Sequence, residues 1–181
     1  VYEGAPSGLR WLPSDETFAH GWVGLAEVTM HTAPMFGRGK GGSIHVGGWV
    51  KQTSAADKQV GDGNARGGWL MFEEPFWSQK DRFAAVFGQL ALRFGDDGGV
   101  PTYFGGGVIA QGVFDSRPHD IASIAVAQAW LTQGQETAIE ALYKVPVIAS
   151  VNLALDVQLI DQPGGRPGQA LAALLRVTTQ L

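Results

Sequence analysis

The chain has 181 residues, the length of one domain, with a net charge of −4, 45% hydrophobic residues and only 17% charged ones. No uninterrupted apolar stretch reaches the roughly 18 residues that a membrane-crossing helix needs, so that class is excluded, whereas a barrel that crosses with alternating strands is not. The acidic balance and the lack of a basic cluster exclude a general nucleic-acid binder, and the absence of cysteine excludes disulfides, thiolate metal sites and thiol nucleophiles.

Turn-forming stretches recur along the chain at Ala33–Gly42, Thr53–Asn64, Pro75–Asp81, Gly95–Pro101, Asp115–Asp120, Gln133–Gln135, Pro146–Ser150 and Asp161–Gln169. Between them lie segments of about ten residues, the length of a tilted membrane-spanning strand. In chain order they are Phe18–His31, Gly42–Gln52, Ala65–Glu74, Arg82–Phe94, Thr102–Phe114, Ile121–Thr132, Glu136–Val145, Val151–Ile160 and Ala170–Leu181. Alternation is plain in three of them. In the second, Ile44, Val46, Gly48 and Val50 oppose Ser43, His45, Gly47, Trp49 and Lys51. In the eighth, Val151, Leu153, Leu155, Val157 and Leu159 oppose Asn152, Ala154, Asp156 and Gln158. In the ninth, Leu171, Ala173, Leu175, Val177, Thr179 and Leu181 oppose Ala172, Leu174, Arg176, Thr178 and Gln180. One apolar and one polar face describe a sheet with water on one side.

Other segments give different advice. Phe83, Val86, Phe87, Leu90 and Phe94 sit at helical spacing, and Glu136–Lys144 and Ala170–Arg176 are rich in good helix formers, so periodicity leaves a soluble α+β domain open. Against it stand the glycines inside apolar segments, such as Gly47, Gly48, Gly67, Gly68, Gly88 and Gly105–Gly107, each of which costs a helix about 1 kcal/mol. In a curved sheet such glycines mark bends or close backbone approach. Phe76, Trp77, Phe94, Phe104, Phe114 and Trp130 fall at turns and segment ends, as the interfacial girdles of a membrane barrel do. Trp22, Trp49, Trp69 and Phe87 do not follow that rule.

The motifs of the chain resemble, in order, those of the carbohydrate-selective porins of the OprB-like family. The run Glu136–Pro146 (ETAIEALYKVP) is similar to the family's penultimate-hairpin signature, and so is Leu155–Gly165 (LDVQLIDQPGG), followed by Ala170–Leu171 and Leu175–Val177. Upstream, Gly112–Asp120 (GVFDSRPHD) is similar to the family's Arg-Pro-x-Asp turn, and Gly63–Trp69 (GNARGGW) with Glu74–Trp77 (EPFW) to a further motif. The matched motifs reach from about Gly42 to Leu181. The resemblance implies an all-β, antiparallel transmembrane β-barrel of the outer membrane, passing small carbohydrates by diffusion. It implies sixteen strands, of which residues 1–181 hold about nine as one segment, and hence a chain that continues upstream of Val1; the residues from Val1 onward show no signal-peptide pattern, as expected of a processed chain or of a piece of a longer one. Two features depart from the family pattern: the chain ends in Leu181 rather than an aromatic residue, and Pro146-Val-Ile-Ala-Ser150 replaces a proline-tryptophan turn.

Counting strands back from Leu181 makes Asp161–Gln169 an external loop and Pro146–Ser150 a periplasmic turn. Alternation then aims Glu140, Lys144, Asp156, Gln158 and Arg176 into a lumen, with Arg93, Glu73, Glu27, His45 and Gln111 as further candidates. Such a lining offers acceptors from carboxylates, donors from Arg and Lys, and both from amides, which is what neutral hydroxyl-rich sugars require. Cross-strand ion pairs Glu140–Lys144 and Asp156–Arg176 are the structural alternative for these side chains. No nucleophile and base stand together, and His20, His31, His45 and His119 form no recognisable constellation, so no enzyme is expected. Gly61-x-Gly63-x-x-x-Gly67 lacks a phosphate-loop lysine. No metal spacing is present, Gly95-Asp-Asp-Gly-Gly99 reads as a turn, and no cofactor is expected. The expected partners are small sugars and outer-membrane lipids, with a homo-oligomer left open. The rival class is a soluble β-rich periplasmic binding domain.

Overall fold

The computed structural model describes residues 21–35, 41–53, 64–95 and 102–179. They form one antiparallel sheet of nine strands in simple chain order: β1 (Gly21–His31), β2 (Ser43–Thr53), β3 (Ala65–Gln79), β4 (Arg82–Gly95), β5 (Thr102–Gln111), β6 (Ile121–Leu131), β7 (Gly134–Ile148), β8 (Val151–Asp161) and β9 (Gln169–Thr179). Each strand pairs with its sequence neighbours, the topology of an up-and-down barrel wall. The only helical element among the described residues is a 3-10 turn, Pro163–Gly165, in the β8–β9 loop. The soluble α+β reading therefore fails at all three segments that invited it.

Arg82–Phe94 is β4, and its register shows why the helical spacing arose. Val86, Leu90 and Phe94 pair with Val108, Phe104 and Arg66 on one face, while Phe83 and Phe87 pair with Gln111 and Gly107 on the other. The segment carries large rings on both faces, and that imitates a helical stripe.

Two expected turns are shorter than the sequence suggests, most of each being strand. β3 continues through Pro75 to Gln79, leaving the two-residue hairpin turn Lys80–Asp81, and β7 continues through Pro146 to Ile148, leaving Ala149–Ser150. Proline lacks an N–H and is tolerated where a strand has a partner on one side only or at a bulge. Both conditions hold twice. Pairing of β2 with β3 stops at Ser43–Glu73, and β3 shifts register against β4 between Pro75 and Trp77. Pairing of β6 with β7 stops at Ile121–Lys144, and β7 shifts against β8 between Pro146 and Ile148. Phe18–His20, Gln180 and Leu181 of the expected strands, and the Asp96–Gly99 part of the acidic turn, lie outside the described residues, as does most of Thr53–Asn64.

The distribution of apolar surface is inverted relative to a water-soluble sandwich. Among the described residues the only buried hydrophobic residues are Ala65 and Ala85, while large apolar side chains such as Leu155, Ile124, Leu171 and Leu175 are 49% to 74% exposed. An apolar face this large, unpaired in water, would drive association; facing lipid, it is the expected exterior of a transmembrane barrel.

Rings cluster at the two ends of that face. Trp22, Phe94, Phe104 and Trp130 lie where β1, β4, β5 and β6 meet the β2–β3, β4–β5 and β6–β7 connections, and Phe76, Trp77 and Phe114 lie at the opposite end. Trp22 thus joins a girdle after all, with its indole Nε1 donating to Gln52 Oε1 at 3.0 Å.

Candidate functional site

Register settles which side chains share a face. Residues paired across a ladder point the same way, so each pair carries the assignment from strand to strand. One row runs His31–Ser43–Glu73–Phe87–Gly107–Ala125–Glu140–Gln158–Ala172 from β1 to β9. A second runs Glu27–Gly47–Trp69–Ala91–Tyr103–Ala129–Glu136 from β1 to β7. Lys144, Asp156 and Arg176 fall on the same face through their pairs with Ala154, Leu142 and Ala154. Arg93 joins them through Gly67, His45 through Thr29, and Gln111 through Phe83. All ten candidate residues, Glu27, His45, Glu73, Arg93, Gln111, Glu140, Lys144, Asp156, Gln158 and Arg176, therefore stand on one face.

The opposite face carries Val28, Val46, Leu70, Leu90, Val108, Val126, Ile139, Leu155 and Leu175, with Val28, Val46, Leu70 and Leu90 in one row and Val126–Ile139 and Leu155–Leu175 as direct pairs. Cations on this face of the described strands keep to its two ends. Arg66 pairs with Phe94 at one aromatic end, the position at which membrane barrels tolerate a long cationic side chain. Arg82 opens β4 at the other end, where its Nη1 meets Asp115 Oδ1 at 2.7 Å.

On the polar face a hollow of about 270 Å³ lies over β4 to β8, lined by Gln89, Tyr103, Ser123, Glu136, Glu140 and Gln158 among others. Gln158 Nε2 donates to Glu140 Oε2 at 2.9 Å, and Gln89 Nε2 to Tyr103 Oη at 2.7 Å. Asp156 Oδ1 is buried and takes no protein hydrogen bond. Among the described residues Arg82–Asp115 and Arg117–Asp120 form ion pairs, and the His45 imidazole contacts the Glu27 carboxylate. Neither Glu140–Lys144 nor Asp156–Arg176 is formed, so wall-bracing ion pairs do not account for these side chains. Glu140 takes its hydrogen bond from an amide instead.

A second polar cluster lies over β1 to β3. Trp69 Nε1 donates to Glu27 Oε2 at 2.8 Å, Glu27 Oε1 lies 3.3 Å from His45 Nδ1, and His45 also contacts Thr29 Oγ1 at 3.0 Å and Ser43 Oγ at 3.2 Å. Trp49 and Trp69, which break the girdle rule, stand on this polar face through their pairs with Gly67 and Gly47. Sequence reasoning did not assign them to the site. The signal was the repeated Gly-Gly-Trp at 47–49 and 67–69, which antiparallel pairing brings into reciprocal register.

At the end of the sheet where the chain reaches Thr179, two buried carboxylates tie loops to strands. Glu74, 1% exposed, accepts from Met35 N at 2.7 Å and from Thr32 Oγ1 at 3.4 Å. Asp120 accepts from Tyr143 Oη and pairs with Arg117 Nε at 2.5 Å, while Gly112 N donates to Asp120 O at 2.9 Å. Gly112 has φ +72, and a Cβ there would stand 2.6 Å from Arg82 Cγ, so the first residue of the Arg-Pro-x-Asp turn has to be glycine. His119 lies within this turn. No group of three or more metal-ligating side chains occurs among the described residues.

An up-and-down antiparallel sheet with a bare apolar face, aromatic ends and a polar opposite face defines the wall of an outer-membrane β-barrel of the porin class. The model of the carbohydrate-selective porin, OprB family, matches residues 36–181, and the chain belongs to that family, a family of channels rather than enzymes. Membership assigns it to the outer membrane and sets aside the soluble binding domain. Among solved structures it is similar to Pseudomonas putida OprB at high pH, with a TM-score of 0.73 and 17% identity over 88% of this chain. The chain spans 49% of the length of that structure's chain. No curated protein matches it.

Proposed function

We propose that this chain forms part of the wall of an outer-membrane pore through which small carbohydrates diffuse passively, with Glu73, Arg93, Glu140, Lys144, Asp156, Gln158 and Arg176 lining the water-filled side. The observation that carries this reading is the register: every one of these side chains stands on the face opposite the apolar exterior. Family membership supports the substrate class. Carboxylates, amides and cations interspersed along one wall give a sugar alternate acceptors and donors, so that it exchanges water for protein hydrogen bonds step by step. The apolar face is covered by outer-membrane lipid, and residues 1–181 act as one segment of a sixteen-stranded wall.

The test uses the complete protein in a planar bilayer, with single-channel current followed as glucose is added. Replacing Lys144 and Arg176 together by Gln removes two positive charges from the lining, so ion selectivity shifts toward cations and glucose blocks the current less. Conductance persists, because no bond-making step depends on these residues. Unchanged selectivity and unchanged block in the double variant would place both side chains outside the pathway.

A further inference from the structure

Aromatic rings cover glycines across neighbouring strands on this sheet, and two of these arrangements are reciprocal. A Cβ added to Gly47 would run into three atoms of the Trp69 ring, and one added to Gly67 would stand 2.6 Å from Trp49 Nε1 and 2.8 Å from its Cε2. Each indole therefore lies across the backbone of the other strand's glycine. The pairs Gly47–Trp69 and Trp49–Gly67 are two residues apart in the same ladder, so the two rings stand side by side on β2 and β3. One side of each ring is turned to the glycine, and both residues are half-buried. The ring of Trp69 is further held by its hydrogen bond to Glu27.

We propose that Trp49 and Trp69 form a stacking platform on the polar face for the apolar side of a pyranose ring, with Glu27 and Arg93 at its edges to meet the sugar's hydroxyls. This rests on the pore reading given above. A pyranose presents C–H groups on the faces of its ring and hydroxyls around its rim. The negative face of an aromatic ring attracts those C–H groups. Charged groups beside it accept from or donate to the rim. The ladder supplies both kinds of neighbour. Glu27 stands opposite Gly47, the glycine that Trp69 covers, and Arg93 stands opposite Gly67, the glycine that Trp49 covers. Glu27 spends one lone pair on Trp69 and contacts His45, and a carboxylate retains further acceptor sites. Two indoles used only to cover glycines would serve packing alone, as aromatic rescue does elsewhere in sheets. A platform adds discrimination between ring sugars and open-chain polyols of the same size.

The experiment measures block of single-channel current by D-glucose and by sorbitol, which has comparable hydroxyls and no ring face, for the full-length protein and its Trp49→Leu, Trp69→Leu, Trp49→Phe and Trp69→Phe variants. Heat-modifiable electrophoretic mobility reports folding of each. Each Leu variant weakens glucose block about fivefold, the effect of losing one aromatic contact of ordinary strength, and leaves sorbitol block unchanged. The Phe variants keep a ring and fold most readily; they weaken glucose block about twofold, again without effect on sorbitol. If the Leu variants do not fold, the Phe variants decide. Wild-type block by glucose that survives unaltered in the folded variants overturns the platform alone, as does equal weakening for glucose and sorbitol. A wild-type channel that conducts but is never blocked by glucose removes the sugar-pore reading and the platform with it.

Discussion

Placing an arginine at Ile139 or at Ala138, adjacent residues of β7, sends the same charge to opposite sides of the wall. Ile139 is 51% exposed and is flanked in the ladder by Val126 and Leu159, all on the apolar face. It lies five residues into a strand that begins at Gly134. At about 3.3 Å per residue and a tilt of about 40°, that is roughly 12 Å from the strand end, close to the middle of an apolar band about 25 Å tall. Ile139→Arg should then cost about 2–4 kcal/mol of membrane-inserted stability. Ala138 faces the hollow with Glu136 and Glu140 on the same side of its own strand. Ala138→Arg places its guanidinium between two carboxylates in water, and its cost should stay near 0.5 kcal/mol or below. The assay is a reversible urea titration of the complete protein folded into lipid vesicles, followed by heat-modifiable mobility. Equal costs at the two positions, or the larger cost at Ala138, would refute the facing of β7 and with it the assignment of a lipid side.

Gly47→Val forces the Trp69 ring off its seat and should cost about 1–3 kcal/mol in the same titration, whereas an overpacking-free site would show almost none. Tyr143→Phe removes a donor to the buried Asp120 carboxylate and should cost about 1.5–3 kcal/mol. A Tyr143→Phe variant as stable as the parent would show that Arg117 alone satisfies that carboxylate.

Alternation made the sheet legible where one face was apolar throughout, as in Val151–Ile160, or nearly so, as in Ala170–Leu181, because a period of two has no other physical source. The same alternation placed Glu140, Lys144, Asp156, Gln158 and Arg176 on one face, and the register keeps them there. Legibility ended where the residues answer to a neighbouring strand rather than to their own. Pro75 and Pro146 read as turns because their tolerance depends on where β2 and β6 stop pairing. Arg82–Phe94 resembled a helix because Phe87 is placed to cover Gly107. Trp49 and Trp69 looked like girdle residues out of place because Gly67 and Gly47, which they cover, are about twenty positions away and come within reach only through the β2–β3 register. Which partner Glu140 takes was equally a matter of rotamer and distance, and Gln158 rather than Lys144 lies within reach.

Carbohydrate selectivity of the pore is read out by swelling of liposomes that contain the complete protein. Isosmotic monosaccharide should enter and swell the vesicles faster than zwitterionic or anionic solutes of similar size. Vesicles that stay shrunken in every sugar, or that admit sugars and charged solutes at rates set by size alone, would contradict a carbohydrate-selective pore.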